Sequence, residues 1–159
     1  MNYKIRKVEE KDFERFNAFC FEMYSEQSTQ FPLSFQSPPP VIYTKKGFLS
    51  EINSKLEISL IALKGDEIVG FIQADIKKEE ETRCFKGYTY ADIRNFYVAK
   101  KYYNEELEKK LYLSLEQLAK DKGLDKMAVM SYGELKDDNF YLKQSFSPFS
   151  INFVKYLNT

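Results

Sequence analysis

FYVAKKYYNEELEKKLYLSL, residues 96–115, reads as a strand, a short turn and an amphipathic helix. After Asn104, the side chains of Leu107, Leu111, Leu115 and Leu118 fall on one helical face. A strand that hands the chain to a helix N-terminus is where many folds hold a phosphate group. The first-turn N–H groups have no intrahelical partner there, and the helix dipole favours an anion. Such a turn is normally rich in glycine. This one has none, and carries Glu105, Glu106 and Glu108 instead.

The flanking sequence sets this unit in an α/β (α+β) chain. Upstream, Tyr88–Val98 is a strand; strict alternation places Tyr90, Asp92, Arg94 and Phe96 on one face and Ala91, Ile93, Asn95 and Tyr97 on the other. Glu57–Leu63 and Ile68–Ile76 flank Lys64-Gly65-Asp66-Glu67 and form a hairpin. Lys77–Arg83 is a charged excursion, expected as a solvated loop. Towards the N-terminus, Tyr3–Val8 is a first strand. Asp12 is a helix N-cap ahead of Phe13, Phe16, Phe19, Cys20 and Met23 at helical spacing. A loop with Phe31, Phe35 and a Pro-Pro-Pro run follows, then a short helix near Lys46–Lys55. Downstream, Gly123 caps the leucine helix, Met127–Ser131 is a short strand, Asp137–Lys143 a helix and Ile151–Leu157 a closing strand. The order predicts a mixed, mostly antiparallel sheet with helices on both faces, in one domain over residues 1–159.

Composition excludes several chemistries. There is no histidine, so serine–histidine and cysteine–histidine nucleophiles are ruled out, and so is the commonest metal ligand. Cys20 and Cys84 stand apart without metal spacing, and no metal site is expected. Lys+Arg and Asp+Glu are both 24, so nothing global steers the chain to nucleic acid. With no basic leader and no long apolar run, the expectation is a cytoplasmic protein without membrane contact.

In this order, the residues resemble the GNAT superfamily of acyl-CoA N-acyltransferases over nearly the whole chain. Ile5-Arg6 with Asp12 is similar to the family's first strand and helix start. Asp66-Glu67-Ile68-Val69-Gly70-Phe71 resembles its hairpin strand ending in Gly-Phe, and Phe96-Tyr97-Val98 its fourth strand. Asn139-Phe140-Tyr141 with Phe146 resembles its tyrosine-bearing segment near the C-terminus. The chain also departs from the pattern. The family's Arg/Gln, Gly and Gly/Ala cofactor positions fall on Tyr103, Glu106 and Glu108. An expected asparagine falls on Glu134, and a glycine on Ser145.

The resemblance implies transfer of an acyl group from acetyl-CoA, as co-substrate, to a small-molecule or peptide amine. Phe96, Tyr97, Val98, Tyr103, Asn104, Glu105, Glu106, Leu107 and Glu108 are then the cofactor-binding positions. Tyr141 is the proton donor to the leaving thiolate and Asp92 the base, with Asp75 second. Arg94 is placed to bind an anionic acceptor or to pair with Asp92. Tyr102 and Tyr103 stack on an adenine or cover the core. The alternative is a non-catalytic GNAT-like module, binding a ligand or forming a homodimer, with a vestigial loop. Stereochemistry does not decide between them. Only the turn residue Asn104 is expected to need positive φ, which Asn tolerates. Charge weighs more. A carboxylate about 5 Å from a phosphate charge costs roughly 3 kcal/mol at an effective dielectric of about 20, and below about 1 kcal/mol if it swings into water.

Overall fold

A computed structural model describes residues 3–130 and 140–148. The elements are β1 (Lys4–Lys7), α1 (Phe13–Gln30), α2 (Lys45–Ile52), β2 (Glu57–Lys64), β3 (Glu67–Glu79), β4 (Tyr88–Val98), α3 (Glu105–Asp121), β5 (Lys126–Val129) and α4 (Phe140–Lys143). The five strands form one sheet in the order β1-β2-β3-β4-β5. The first three pairings are antiparallel and β4–β5 is parallel, joined by the crossover helix α3. The predicted closing strand and the start of the predicted last helix lie outside the described residues.

Helices cover both faces. Against one face, α3 buries Leu107, Leu111, Leu115 and Ala119 on Ile58, Leu60, Ile72, Ala74, Ala91 and Ile93. Gly70 permits this close approach: a Cβ there would meet Leu111 Cδ2 at 3.2 Å and Ala62 Cβ at 3.4 Å. On the other face α1 and α2 bury Phe16, Phe19, Met23 and Phe48 over Ile61, Leu63 and Phe71. Phe16 meets Phe71 edge-on at 4.9 Å between ring centroids. Each such side chain contributes about 1.5–3 kcal/mol when fully buried.

Three sequence expectations need correction. Asp12 precedes α1 but does not cap it with its side chain. Its fully buried carboxylate instead accepts from Arg6, Arg15 and the Glu9 N–H. The charged excursion is not all loop, because β3 runs on to Glu79. There Lys77, Lys78 and Glu79 pair with Tyr90, Thr89 and Tyr88, residue types that favour strands. The third correction is a β-bulge in β4. Gln73 pairs with Asn95 and Ala74 with Ile93, so Arg94 is an inserted residue. Arg94 and Asn95 therefore both project towards α1 and α2, while Phe96 turns to the α3 side with Ile93 and Val98. Strict alternation fails at this one residue.

Candidate functional site

The bulge marks the end of the described β4–β5 pairing. Strand β5 pairs with β4 only from Tyr90↔Lys126 to Ile93↔Val129. Beyond Ile93 the β4 edge has no strand partner among the described residues. Ala99 N–H donates to Val69 O at 3.0 Å on the β3 side. By strand alternation the Phe96 and Val98 N–H groups therefore point to the open edge. The N-terminus of α3 stands beside this edge.

Asn104 is the N-cap of α3. Its backbone is extended, with φ −154° and ψ 148°, which corrects the expectation of positive φ. The first helical turn is reached without a left-handed residue, so the absence of glycine costs no strain here. The Asn104 Oδ1 takes the Leu107 N–H at 2.8 Å. The Glu105 and Glu106 N–H groups have no hydrogen-bond partner among the described residues. They are the donors this helix end still offers. The Leu107 side chain is buried in the core, where it packs against the sheet.

The three glutamates part company. The Glu105 side chain is 84% exposed, 3.8 Å from Lys143. Glu106 is 74% exposed and pairs with Lys110 at 2.6 Å. Glu108 turns inward: the Tyr103 hydroxyl donates to it at 3.2 Å. Burial lifts its pKa above the ordinary carboxylate value despite that hydrogen bond. Tyr102 points elsewhere, donating to Glu67 at 2.6 Å and packing against the core. Of the tyrosine pair, Tyr103 is the exposed one and the one that binds a first-turn glutamate.

Tyr141 lies opposite, on α4. Its ring is 6.4 Å from Phe96, 5.6 Å from Phe140 and 5.5 Å from Phe146. A C-terminal cap holds it. Phe146 N–H donates to Tyr141 O and Ser145 N–H to Leu142 O, both at 3.0 Å, and Ser145 takes φ 66°. Ser145 is the position where the resemblance places a glycine, and its left-handed φ explains that preference. Burial, with the Glu108 charge adding, pushes the Tyr141 hydroxyl up to about 12. It is a proton-bearing donor at neutral pH.

A polar network occupies the α1–α2 face of the sheet next to the bulge. The Gln73 amide donates to Glu57, to Glu51 at 3.2 Å and to Ser59 at 3.3 Å. Asn95 donates to Gln73 Oε1 at 2.8 Å and accepts from Tyr24. The Arg94 guanidinium lies 3.5 Å from Glu57, 3.7 Å from Asp75 and 3.8 Å from Glu51. Arg94 does not pair with Asp92, which binds Lys77 instead. Glu51, Glu57, Gln73 and Asn95 escaped the sequence reading. The available signal was two amides, Gln73 and Asn95, inside otherwise apolar strands, since buried amides need partners. Tyr97 faces α1 with its ring 5.5 Å from Phe19, so of the Phe96-Tyr97-Val98 triplet only backbone and Phe96 meet the edge. Glu134 lies outside the described residues.

A mixed, mostly antiparallel sheet with a parallel last strand, a crossover helix whose N-terminus follows β4, and a tyrosine-bearing helix packed on Phe96 define a GNAT-type α/β fold. The model of the acetyltransferase (GNAT) family matches residues 20–146, and the chain belongs to that family. Solved structures agree on the fold. A mutant of the BH1408 protein from Bacillus halodurans superposes with a TM-score of 0.83 at 12% identity, covering 97% of this chain and 99% of that one. Glucosamine-6-phosphate N-acetyltransferase from Arabidopsis thaliana gives 0.69 at 19% identity, covering 99% and 100%. A predicted acetyltransferase from Clostridium acetobutylicum, solved with acetyl-CoA, gives 0.68 at 15% identity, covering 98% and 97%. No curated protein matches the sequence. No helix among the described residues is long and apolar enough to cross a membrane.

Proposed function

We propose that the protein is an acyl-CoA-dependent N-acyltransferase that moves an acetyl group from acetyl-CoA to a primary amine. The observation that carries this is the convergence of three features on one opening. They are the β4 edge at Phe96–Val98 and the Glu105 and Glu106 N–H groups, which have no partner among the described residues, and Tyr141. The two N–H groups and the helix dipole suit a pyrophosphate. The Phe96 or Val98 N–H suits the thioester carbonyl, whose oxygen gains charge as nitrogen attacks.

Tyr141 acts on the leaving sulfur. Its hydroxyl carries its proton at neutral pH and donates a hydrogen bond to the developing thiolate, which takes up the second proton lost by the amine. For the base, Asp92 and Glu51 both lie on the α1–α2 face of the sheet.

The vestigial-module alternative needs exposed aromatics gathered on one surface. Among the described aromatics, the markedly exposed ones are Phe21, Phe85 and Tyr103, on α1, the β3–β4 loop and the α3 approach. That distribution favours the enzyme. The test is release of free thiol from acetyl-CoA in the presence of a panel of primary amines. Amine-dependent release supports the reading; no release with any amine overturns it.

A further inference from the structure

We infer that Glu51 is the base that takes the proton from the acceptor ammonium, an assignment that rests on the acyl-transfer reading above. The other carboxylates on this face are each less suited. Asp92 is ion-paired to Lys77, which competes for its lone pairs. The Glu57 side chain is only 9% exposed and is already bound by Gln73 and Ser59. Asp75 sits one strand away from the open β4 edge, beside Arg94.

Glu51 combines access with orientation. It projects from the last turn of α2 over the two bulge residues, and its side chain is 31% exposed. Gln73 Nε2 holds one oxygen at 3.2 Å, and Asn95 in turn holds Gln73. Burial raises its pKa above the usual carboxylate value, and the Glu57 charge adds to the shift. Facing it are Glu57 on β2, Asp75 on β3, Arg94 on β4, Cys20 and Tyr24 on α1, and Tyr43 ahead of α2. One guanidinium among three carboxylates leaves a negative surplus, which recruits an ammonium.

The step balances. Glu51 takes one proton from the ammonium, giving a neutral amine and a neutral carboxyl group. The nitrogen lone pair forms the new C–N bond at the thioester carbon and the C–S bond breaks. The second proton lost by nitrogen ends on the sulfur, and Glu51 returns its proton to water. Gln73 and Asn95 are positioning residues for this step.

The experiment compares two acceptors with acetyl-CoA: phenethylamine, which is protonated at pH 7, and methoxyamine, which is not. Glu51→Gln is expected to lose about a hundredfold in kcat/KM with phenethylamine. It should retain methoxyamine transfer within about threefold and lose the acidic limb of the wild-type pH profile. A merely structural role would lower both acceptors equally, and that result overturns the assignment. So does wild-type turnover of both by Glu51→Gln, or loss of the limb in Asp92→Asn instead; acyl transfer then stands with another base. If the wild-type protein releases thiol with neither of these nor any other amine of the panel, the acyl-transfer reading falls and the role of Glu51 with it.

Discussion

The Tyr103 hydroxyl donates to the Glu108 carboxylate at 3.2 Å across the start of α3. This contact turns one glutamate of the glycine-free turn into the opening while Glu105 and Glu106 stay in solvent. The electrostatic obstacle to a phosphate-bearing ligand is thus one half-buried charge.

Removing that charge should strengthen cofactor binding. Glu108→Gln is expected to tighten acetyl-CoA about three- to tenfold, a Coulomb term discounted for partial solvent exposure. Glu105→Gln and Glu106→Gln should each change the Kd by less than about twofold. Because the Glu108 pKa is raised, mainly by burial, wild-type affinity should rise as pH falls towards the carboxylate range, and the Glu108→Gln affinity should rise less. Isothermal titration at several pH values checks both statements.

Tyr141→Phe should cut turnover at least about tenfold, the scale of one hydrogen-bond donor lost from a developing anion. The aromatic contacts of Tyr141 with Phe96, Phe140 and Phe146 survive the change. Melting temperature and acetyl-CoA affinity should therefore hold. An equal loss in all three would show a packing role only.

Asp12 governs acid stability. Burial alone would raise its pKa, but hydrogen bonds from Arg6, the Glu9 N–H and Arg15 hold it well below the ordinary range. A pKa below the unfolded value of about 3.9 contributes stability above that pH and loses it as pH falls through the folded value. Asp12→Asn should cost about 3 kcal/mol at pH 7, because two guanidinium groups lose their partner. The variant's melting temperature should fall less than the wild type's between pH 4 and 2. Denaturant melts at pH 7 measure the first, and thermal melts between pH 4 and 2 the second.

Ser145 carries strain that a glycine would remove. Its φ of 66° closes the cap after Tyr141. Ser145→Gly should stabilise the protein by up to about 1 kcal/mol, raising the melting temperature by about 2–4 °C. A lower melting temperature in calorimetry would contradict the cap geometry.

Part of this was legible in the sequence. The leucine spacing fixed the inward face of α3, while Phe96-Tyr97-Val98, Tyr141 and the glycine position at Ser145 were singled out by the family resemblance and not by local pattern. What stayed hidden depended on pairing between distant strands. The inserted Arg94 shifts every following β4 residue to the opposite face, and no local periodicity reveals a single-residue bulge. Glu51 acquires its setting only when α2 packs over β2, β3 and β4, bringing Gln73 and Arg94 beneath it. The Asn104 backbone differed from expectation because its side chain caps the helix from an extended conformation.

The most direct measurement is calorimetric titration of the protein with acetyl-CoA. Saturable binding at one site per chain is expected, weakened at least about tenfold by Glu105→Pro, which removes one of the two first-turn N–H groups without a partner among the described residues while proline suits that first helical position after the extended Asn104. No heat and no thermal shift at millimolar acetyl-CoA would contradict a working cofactor site.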